Sequence, residues 1–175
     1  MRDFSEIDHE FMRLALAEAA GAGEDGEVPA GAVLAAPDGS LAGRGRNRVI
    51  GLNDPTAHAE IMAIREAAAA IGNYRLTGFT LYSTLEPCPM CLMTAIHARL
   101  GLIVFGASEP RWGAAGSLLD LASLPGLNHR LEIAGGLRAE ECGGLISDFF
   151  KVKRRSGRQA VALPTDGQPD MVETD

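Results

Sequence analysis

His58-Ala59-Glu60 and Pro87-Cys88-Pro89-Met90-Cys91 are the residues of this chain whose types and spacing could do chemistry. One histidine and two cysteines supply three zinc ligands. A tetrahedral ion held by three protein ligands keeps its fourth position open for water or substrate, whereas a structural site is closed by four. Zinc at such a site lowers the pKa of water from about 15.7 toward roughly 7, so a nucleophile exists at neutral pH. Glu60 follows the histidine by two residues, a spacing that puts the two side chains on different sides of a helix. Its carboxylate is therefore available as a proton shuttle and need not be a fourth ligand. Addition of hydroxide to an amidine-like ring carbon suits this set, because the ring nitrogen and the departing amine must each receive a proton.

Both clusters open helices. Asp54-Pro55-Thr56 precedes a helical run expected over Ala57 to Ala70, and Thr84-Leu85-Glu86-Pro87 precedes one over Cys88 to Leu100. Proline near the first helical position supports both. A helix start carries partial positive charge and unpaired amides, which favours Cys88 and Cys91 as thiolates. Each residue also has a plainer reading: a redox pair for C-x-x-C, a solvated helix position for Glu60, a buried hydrogen-bonded ring for His58. His9, His97 and His129 lack a second ligand-type residue at metal-binding spacing, and Cys142 reads as a small buried thiol of the last helix.

Around these motifs, an amphipathic helix is expected from Asp8 to about Ala22, with Phe11, Leu14, Ala15 and Ala19 on one stripe. Ala30–Ala36 and Leu41–Arg48 flank Pro37-Asp38-Gly39-Ser40 and read as a hairpin. Phe79–Thr84 and Leu102–Phe105 are strand runs on either side of the cysteine helix, a β-α-β unit with parallel pairing. A Gly- and Ser-rich loop over residues 106–117, a short helical piece at Leu118–Ala122, a strand at Leu131–Ala134 and a closing helix at Arg138–Arg155 complete an α/β domain. Its architecture is a five-stranded mixed sheet with helices on both faces. Residues 1–155 form the expected domain, and 156–175 an acidic, aperiodic tail expected to be disordered.

The 175 residues suffice for one unstapled core. Three cysteines, two of them assigned to metal, leave no disulfide framework. The acidic N-terminus lacks the features of a signal peptide, and no apolar run approaches a membrane span, so a cytoplasmic, reducing setting is expected. The net charge of −7 is unevenly spread. Residues 1–27 hold 8 acidic and 2 basic side chains, residues 159–175 hold 4 acidic and none basic, and residues 28–158 hold 14 basic and 11 acidic. Lys151, Lys153, Arg154, Arg155 and Arg158 follow Phe149-Phe150, a pattern that suits single-stranded nucleic acid as well as a solvated helix end.

H-x-E paired with P-C-x-x-C is a known signature of the zinc deaminases at large. Asn53 to Glu60 is also similar in guanine deaminases. Narrower segments are Glu27-Val28-Pro29, Asn73-Tyr74-Arg75-Leu76, Phe105-Gly106-Ala107, Gly113-Ala114-Ala115-Gly116-Ser117, Asn128-His129-Arg130 and Ser147-Asp148-Phe149-Phe150. Through them the chain, from about Phe11 to Arg155, resembles the bacterial tRNA-specific adenosine deaminases, which convert the wobble adenosine of a tRNA anticodon to inosine. The resemblance implies a three-layer α/β/α cytidine-deaminase-like fold, one zinc on His58, Cys88 and Cys91, and Glu60 as proton shuttle. It further implies Asn47 on the flipped purine, Val28, Pro29 and Ala59 on the pocket wall, and Phe149 with the basic residues after it on anticodon bases. A homodimer with the anticodon stem-loop bound across its interface is implied as well. Where that family shows Asp followed two residues later by Lys, this chain has Glu109-Pro110-Arg111-Trp112, which puts a longer carboxylate and the only tryptophan in the loop that the resemblance places near the flanking nucleotides. The acidic balance keeps a free-base substrate such as guanine as an alternative, and a zinc-stabilised RNA scaffold as a third reading that Glu60 argues against.

Overall fold

Ser5 and Asp8 start the first helix earlier than its apolar stripe suggests. The Ser5 hydroxyl accepts from the Asp8 amide while the Asp8 carboxylate accepts from the Ser5 amide at 2.8 Å, a reciprocal cap, and α1 therefore spans Glu6–Glu24. Asp8 Oδ1 also accepts from the buried Tyr82 hydroxyl at 2.7 Å, which ties this cap to the sheet. Burial pushes the Asp8 pKa up, but the Tyr82 and Ser5 hydrogen bonds and the Arg2 charge outweigh it, and the net shift is downward.

The hairpin forms as β1 (Gly31–Ala35) and β2 (Leu41–Arg46), closed by Asp38, whose carboxylate accepts from the Ser40 amide at 2.9 Å and hydroxyl at 2.7 Å. A single turn, α2 (Val49–Leu52), ends at Asn53 in the left-handed region, and α3 runs Ala59–Ile71. β3 (Thr80–Leu85), α4 (Pro89–His97) and β4 (Leu102–Ala107) make the β-α-β unit, followed by β5 (Glu132–Gly135) and α5 (Ala139–Ala160). This computed structural model describes residues 2–160. α5 continues past the Arg155 boundary expected from sequence, and the remainder of the expected tail, 161–175, lies outside the described residues.

The sheet order is β2-β1-β3-β4-β5, with β1 antiparallel to both neighbours and β3, β4 and β5 parallel. β1 is buried at every position, as a central strand covered on both faces must be. Alternation sorts the strand side chains into two cores. Ala32, Leu34, Leu81 and Ile103 meet Ala63, Ile64, Leu92 and Ile96 of α3 and α4. Val33, Tyr82, Val104 and Ala134 meet Phe11, Met12, Ala15 and Cys142 of α1 and α5. These are the three expected layers, and Cys142 is the buried thiol anticipated for the last helix.

Glycines set how close α3 comes. A Cβ on Gly45 would collide with the Ala59 carbonyl and one on Gly43 with the Ala63 carbonyl, so the alternate glycines of β2 let the first two turns of α3 lie on the sheet. That brings the start of α3 to the C-terminal end of β3. The helical piece expected at Leu118–Ala122 does not form. The Leu118 and Leu119 amides both donate to Gly113 O, Gly116 takes a φ of 130°, and Ala115 and Asp120 make an isolated bridge, so the segment folds back as a turn.

Candidate metal centre and substrate cavity

His58 is the N-cap of α3 and Cys88 the N-cap of α4, and neither side chain caps its own helix. Both therefore point away from their helix starts, and the two helix N-termini converge with Cys91, one turn into α4, on a single point. Cys88 Sγ lies 3.6 Å from Cys91 Sγ and 3.6 Å from His58 Nδ1, and Cys91 Sγ lies 3.5 Å from Nδ1. Zn–S bonds of about 2.3 Å and Zn–N bonds of about 2.05 Å, at tetrahedral angles, require edges of roughly 3.8 Å between sulfurs and roughly 3.5 Å between sulfur and nitrogen. The observed triangle meets that requirement. These are the three residues among those described whose ligand atoms are grouped to hold a metal ion, and the donor set of two soft sulfurs and one imidazole suits zinc.

The electrostatics agree. The Cys91 thiol donating to Cys88, helped by His58 and opposed by burial, holds the Cys88 thiol down at about 4. Cys91, hydrogen-bonded to that thiolate and buried, is pushed up. The pair thus shares one proton, which a coordinating cation displaces. The hydrogen bond to Cys88 raises the pKa of His58 against the effect of burial. Glu60, in the first turn of α3, is 6 % exposed, and loss of solvent raises its pKa, with the Cys88 thiolate adding to the shift and His58 opposing it.

A cavity of about 610 Å³ opens over this cluster. His58, Ala59, Glu60 and Cys88 form one side, and Val28, Asn47, Glu109 and Trp112 stand among its other walls. Asn47 is 9 % exposed, and its Nδ2 donates to Glu27 Oε2 at 3.3 Å while Glu27 Oε1 accepts from the Gly51 amide at 2.8 Å. Glu27 thus fixes which end of the Asn47 amide faces the cavity.

Pro29 is the expected wall residue that does not line this cavity, and Phe149, expected on anticodon bases, lies outside it as well. Pro29 is buried outside it, beside Gly23 of α1, at the centre of a tight turn in which the Ala30 amide donates to Val28 O at 2.7 Å, and the flanking Val28 and Ala30 line the cavity instead. Phe149 lies on α5, half-buried, with its ring centroid 5.4 Å from that of Phe150 and 4.7 Å from the Lys153 ammonium. Lys153 also donates to Gly26 O at 3.3 Å and Lys151 pairs with Asp148 at 2.8 Å, so two of the basic residues are engaged within the chain.

Glu86 is a residue that sequence reasoning missed. It is 3 % exposed, and its carboxylate accepts from the amides of Glu109, Ala115 and Ser117, each at 3.0 Å, and from the Ser117 hydroxyl. Burial raises its pKa, but these four donors outweigh that and lower it overall. It ties the loop after β4 to the segment that enters Cys88. A carboxylate two residues before a ligand carries no motif of its own, and its partners are distant in sequence.

Residues 5–107 match the family described as the cytidine and deoxycytidylate deaminase zinc-binding region. The tRNA-specific adenosine deaminase of Haemophilus influenzae is 45 % identical over 159 residues, covering 91 % of this chain and 92 % of that protein. A solved structure from work on A-to-I editing by tRNA:A34 deaminases at the wobble position superposes with a TM-score of 0.75 at 46 % identity, covering 78 % of this chain and 98 % of that one. A guanine deaminase from Nitrosomonas europaea superposes with a TM-score of 0.70 over 81 % of this chain and 83 % of that one. At 21 % identity it shares the fold alone. With its sheet order, its His-Cys-Cys triangle and 45 % identity to the Haemophilus influenzae enzyme over 91 % of its length, the chain belongs to the tRNA-specific adenosine deaminases of the cytidine and deoxycytidylate deaminase family.

Proposed function

We propose that this chain deaminates adenosine to inosine at the wobble position of a tRNA anticodon, with one zinc per chain on His58, Cys88 and Cys91 and Glu60 as the proton carrier. The observation that carries the reading is the buried Glu60 carboxylate next to a three-ligand triangle of tetrahedral dimensions on the wall of a cavity of about 610 Å³. The 45–46 % identity to tRNA adenosine deaminases over most of the chain supports adenosine in tRNA as the substrate.

A zinc ion held by this triangle supplies the Lewis acidity that makes water nucleophilic at neutral pH. Glu60 takes the proton that water gives up, delivers it to the purine ring nitrogen, and passes the second proton to the amine, so that adenosine and water become inosine and ammonia. Burial raises its pKa, which favours its holding a proton between the two transfers. Asn47, steered by Glu27, holds the purine edge, and Val28, Ala59 and Glu109 enclose it. The exposed Arg154 and Arg155 of α5 meet phosphates, and a homodimer in the cytoplasm completes the RNA groove. Residues 1–155 carry this activity, and the acidic tail stands outside it.

The test is to incubate the purified protein with an anticodon stem-loop and, separately, with guanine. Inosine from the first and no xanthine from the second supports the reading. Xanthine without inosine overturns it in favour of a free-base enzyme.

A further inference from the structure

Trp112 is 68 % exposed, although a tryptophan ordinarily hides most of its surface. It lies at the wall of the cavity that contains His58, Glu60 and Cys88, and so does Ile50, which is 62 % exposed. Two large apolar side chains thus face solvent around an opening that leads to the buried Asn47 and Glu60. The segment that carries Trp112 is not slack. Its two ends are fastened to Glu86 through the amides of Glu109, Ala115 and Ser117, and the Gly113 amide donates to Glu109 O at 2.7 Å and that of Ala114 to Pro87 O at 2.9 Å. Gly113 has no room for a side chain, because a Cβ there would strike the Glu86 carboxyl and Glu109 O. The loop therefore presents the indole from a fixed base, which reduces the ordering cost of using it in binding. Arg111, exposed next to it, adds a cation suited to a phosphate.

We infer that Trp112 is a stacking platform for the nucleobase adjacent to the target adenosine in the chain's RNA substrate, a recognition element outside the pocket that holds the reacting base. This rests on the RNA reading proposed above. A nucleotide removed from its stack leaves its neighbour with one bare face at the mouth of the pocket. Aromatic side chains take up such faces whatever the base, and tryptophan offers a large rigid surface for doing so. An occupant of this kind explains why the indole lies at the mouth and not inside the pocket, and why a cationic residue accompanies it.

The experiment compares wild type, Trp112→Ala and Trp112→Phe on three anticodon stem-loops: intact, abasic one nucleotide 5′ of the target, and abasic one nucleotide 3′ of it. Zinc content and oligomeric state are measured for each protein. On the intact stem-loop, Trp112→Ala should raise KM roughly 5- to 150-fold, the range that base–aromatic stacking accounts for, with kcat within about twofold and Trp112→Phe in between. On one abasic stem-loop the KM factor should fall to near one, because the base that stacks is gone. An unchanged KM for Trp112→Ala on the intact stem-loop overturns the inference. So does an equal loss on all three substrates, which indicates a structural role, and so does a change of oligomeric state, which assigns the indole to a subunit interface. If wild type makes no inosine from the intact stem-loop, the RNA reading itself fails and this inference falls with it. Inosine from wild type with an unaltered Trp112→Ala defeats the inference alone.

Discussion

Substituting Glu86 by glutamine tests whether the loop that borders the cavity is held by one buried carboxylate. Oε1 accepts two amides, from Ala115 and Ser117, and Oε2 accepts the Glu109 amide and the Ser117 hydroxyl. A glutamine side chain must place its NH₂ against one of these pairs. The better choice is the Oε2 side, where the Ser117 hydroxyl can turn round and accept, but the Glu109 amide then faces a donor. One buried amide is left unsatisfied, at about 1–3 kcal/mol, and the remaining bonds lose the charge that roughly doubles their strength. The sum is about 2–4 kcal/mol, a large share of the 5–15 kcal/mol that holds a typical domain together. The variant should lower the urea midpoint accordingly and leave the Glu109–Ser117 loop faster in amide exchange. It should reduce kcat/KM on the stem-loop more than tenfold in protein that still holds zinc, because Glu109 and Trp112 border the cavity from this loop. A Glu86→Gln protein with wild-type stability and wild-type kcat/KM would refute the reasoning.

Metal analysis should find about one zinc per chain, with Cys88→Ala and His58→Ala losing it; full occupancy in either variant overturns the ligand assignment. Replacing Lys151, Lys153, Arg154 and Arg155 by glutamine should weaken stem-loop binding. Because Lys151 and Lys153 are engaged within the chain, the log–log salt slope should fall by roughly 1.4–1.8, the share of two phosphate contacts, and an unchanged slope removes α5 from the RNA surface. Asp8→Asn should cost about 1.5–3 kcal/mol at pH 7, since the buried carboxylate accepts from Tyr82 and Ser5. The folded pKa of Asp8 lies below the ordinary 3.8, so this contribution is complete above pH 3.8 and is lost as pH falls through the lower folded value. Urea melts of the two proteins should therefore converge below about pH 3.8, and a constant difference down to pH 2 contradicts the assignment.

Local chemistry was legible in the sequence, and packing less so. The grouping of His58, Cys88 and Cys91 was legible because ligand spacing and helix starts are written in adjacent residues, with Glu60 buried beside it, and the hairpin because Asp38-Gly39 has its own turn chemistry. Resemblance singles out Asn47, Val28 and Ala59, and a departure from the family pattern singles out Glu109, and all four line the cavity. Pro29 does not line the cavity because a resemblance gives a segment and not the tight turn between Val28 and Ala30 that sets its side chain's direction. Glu27 and Glu86 were missed because a buried carboxylate is defined by donors 20 or more residues away, here Asn47, Gly51, Glu109 and Ser117. Leu118–Ala122 looked helical by composition, but the amides of Leu118 and Leu119 both bond back to Gly113, a competition that propensity does not see. The single turn of α2 is too short to show a period.

The central claim is that Glu60 moves protons next to a metal held by His58, Cys88 and Cys91, and the measurement that bears on it most directly is single-turnover inosine formation in an anticodon stem-loop by wild type and Glu60→Gln at equal zinc content. Wild type should convert the target adenosine, whereas Glu60→Gln should bind the stem-loop with wild-type affinity and react at least roughly 10² to 10⁴ times more slowly. Single-turnover rates within a few-fold of each other would contradict it.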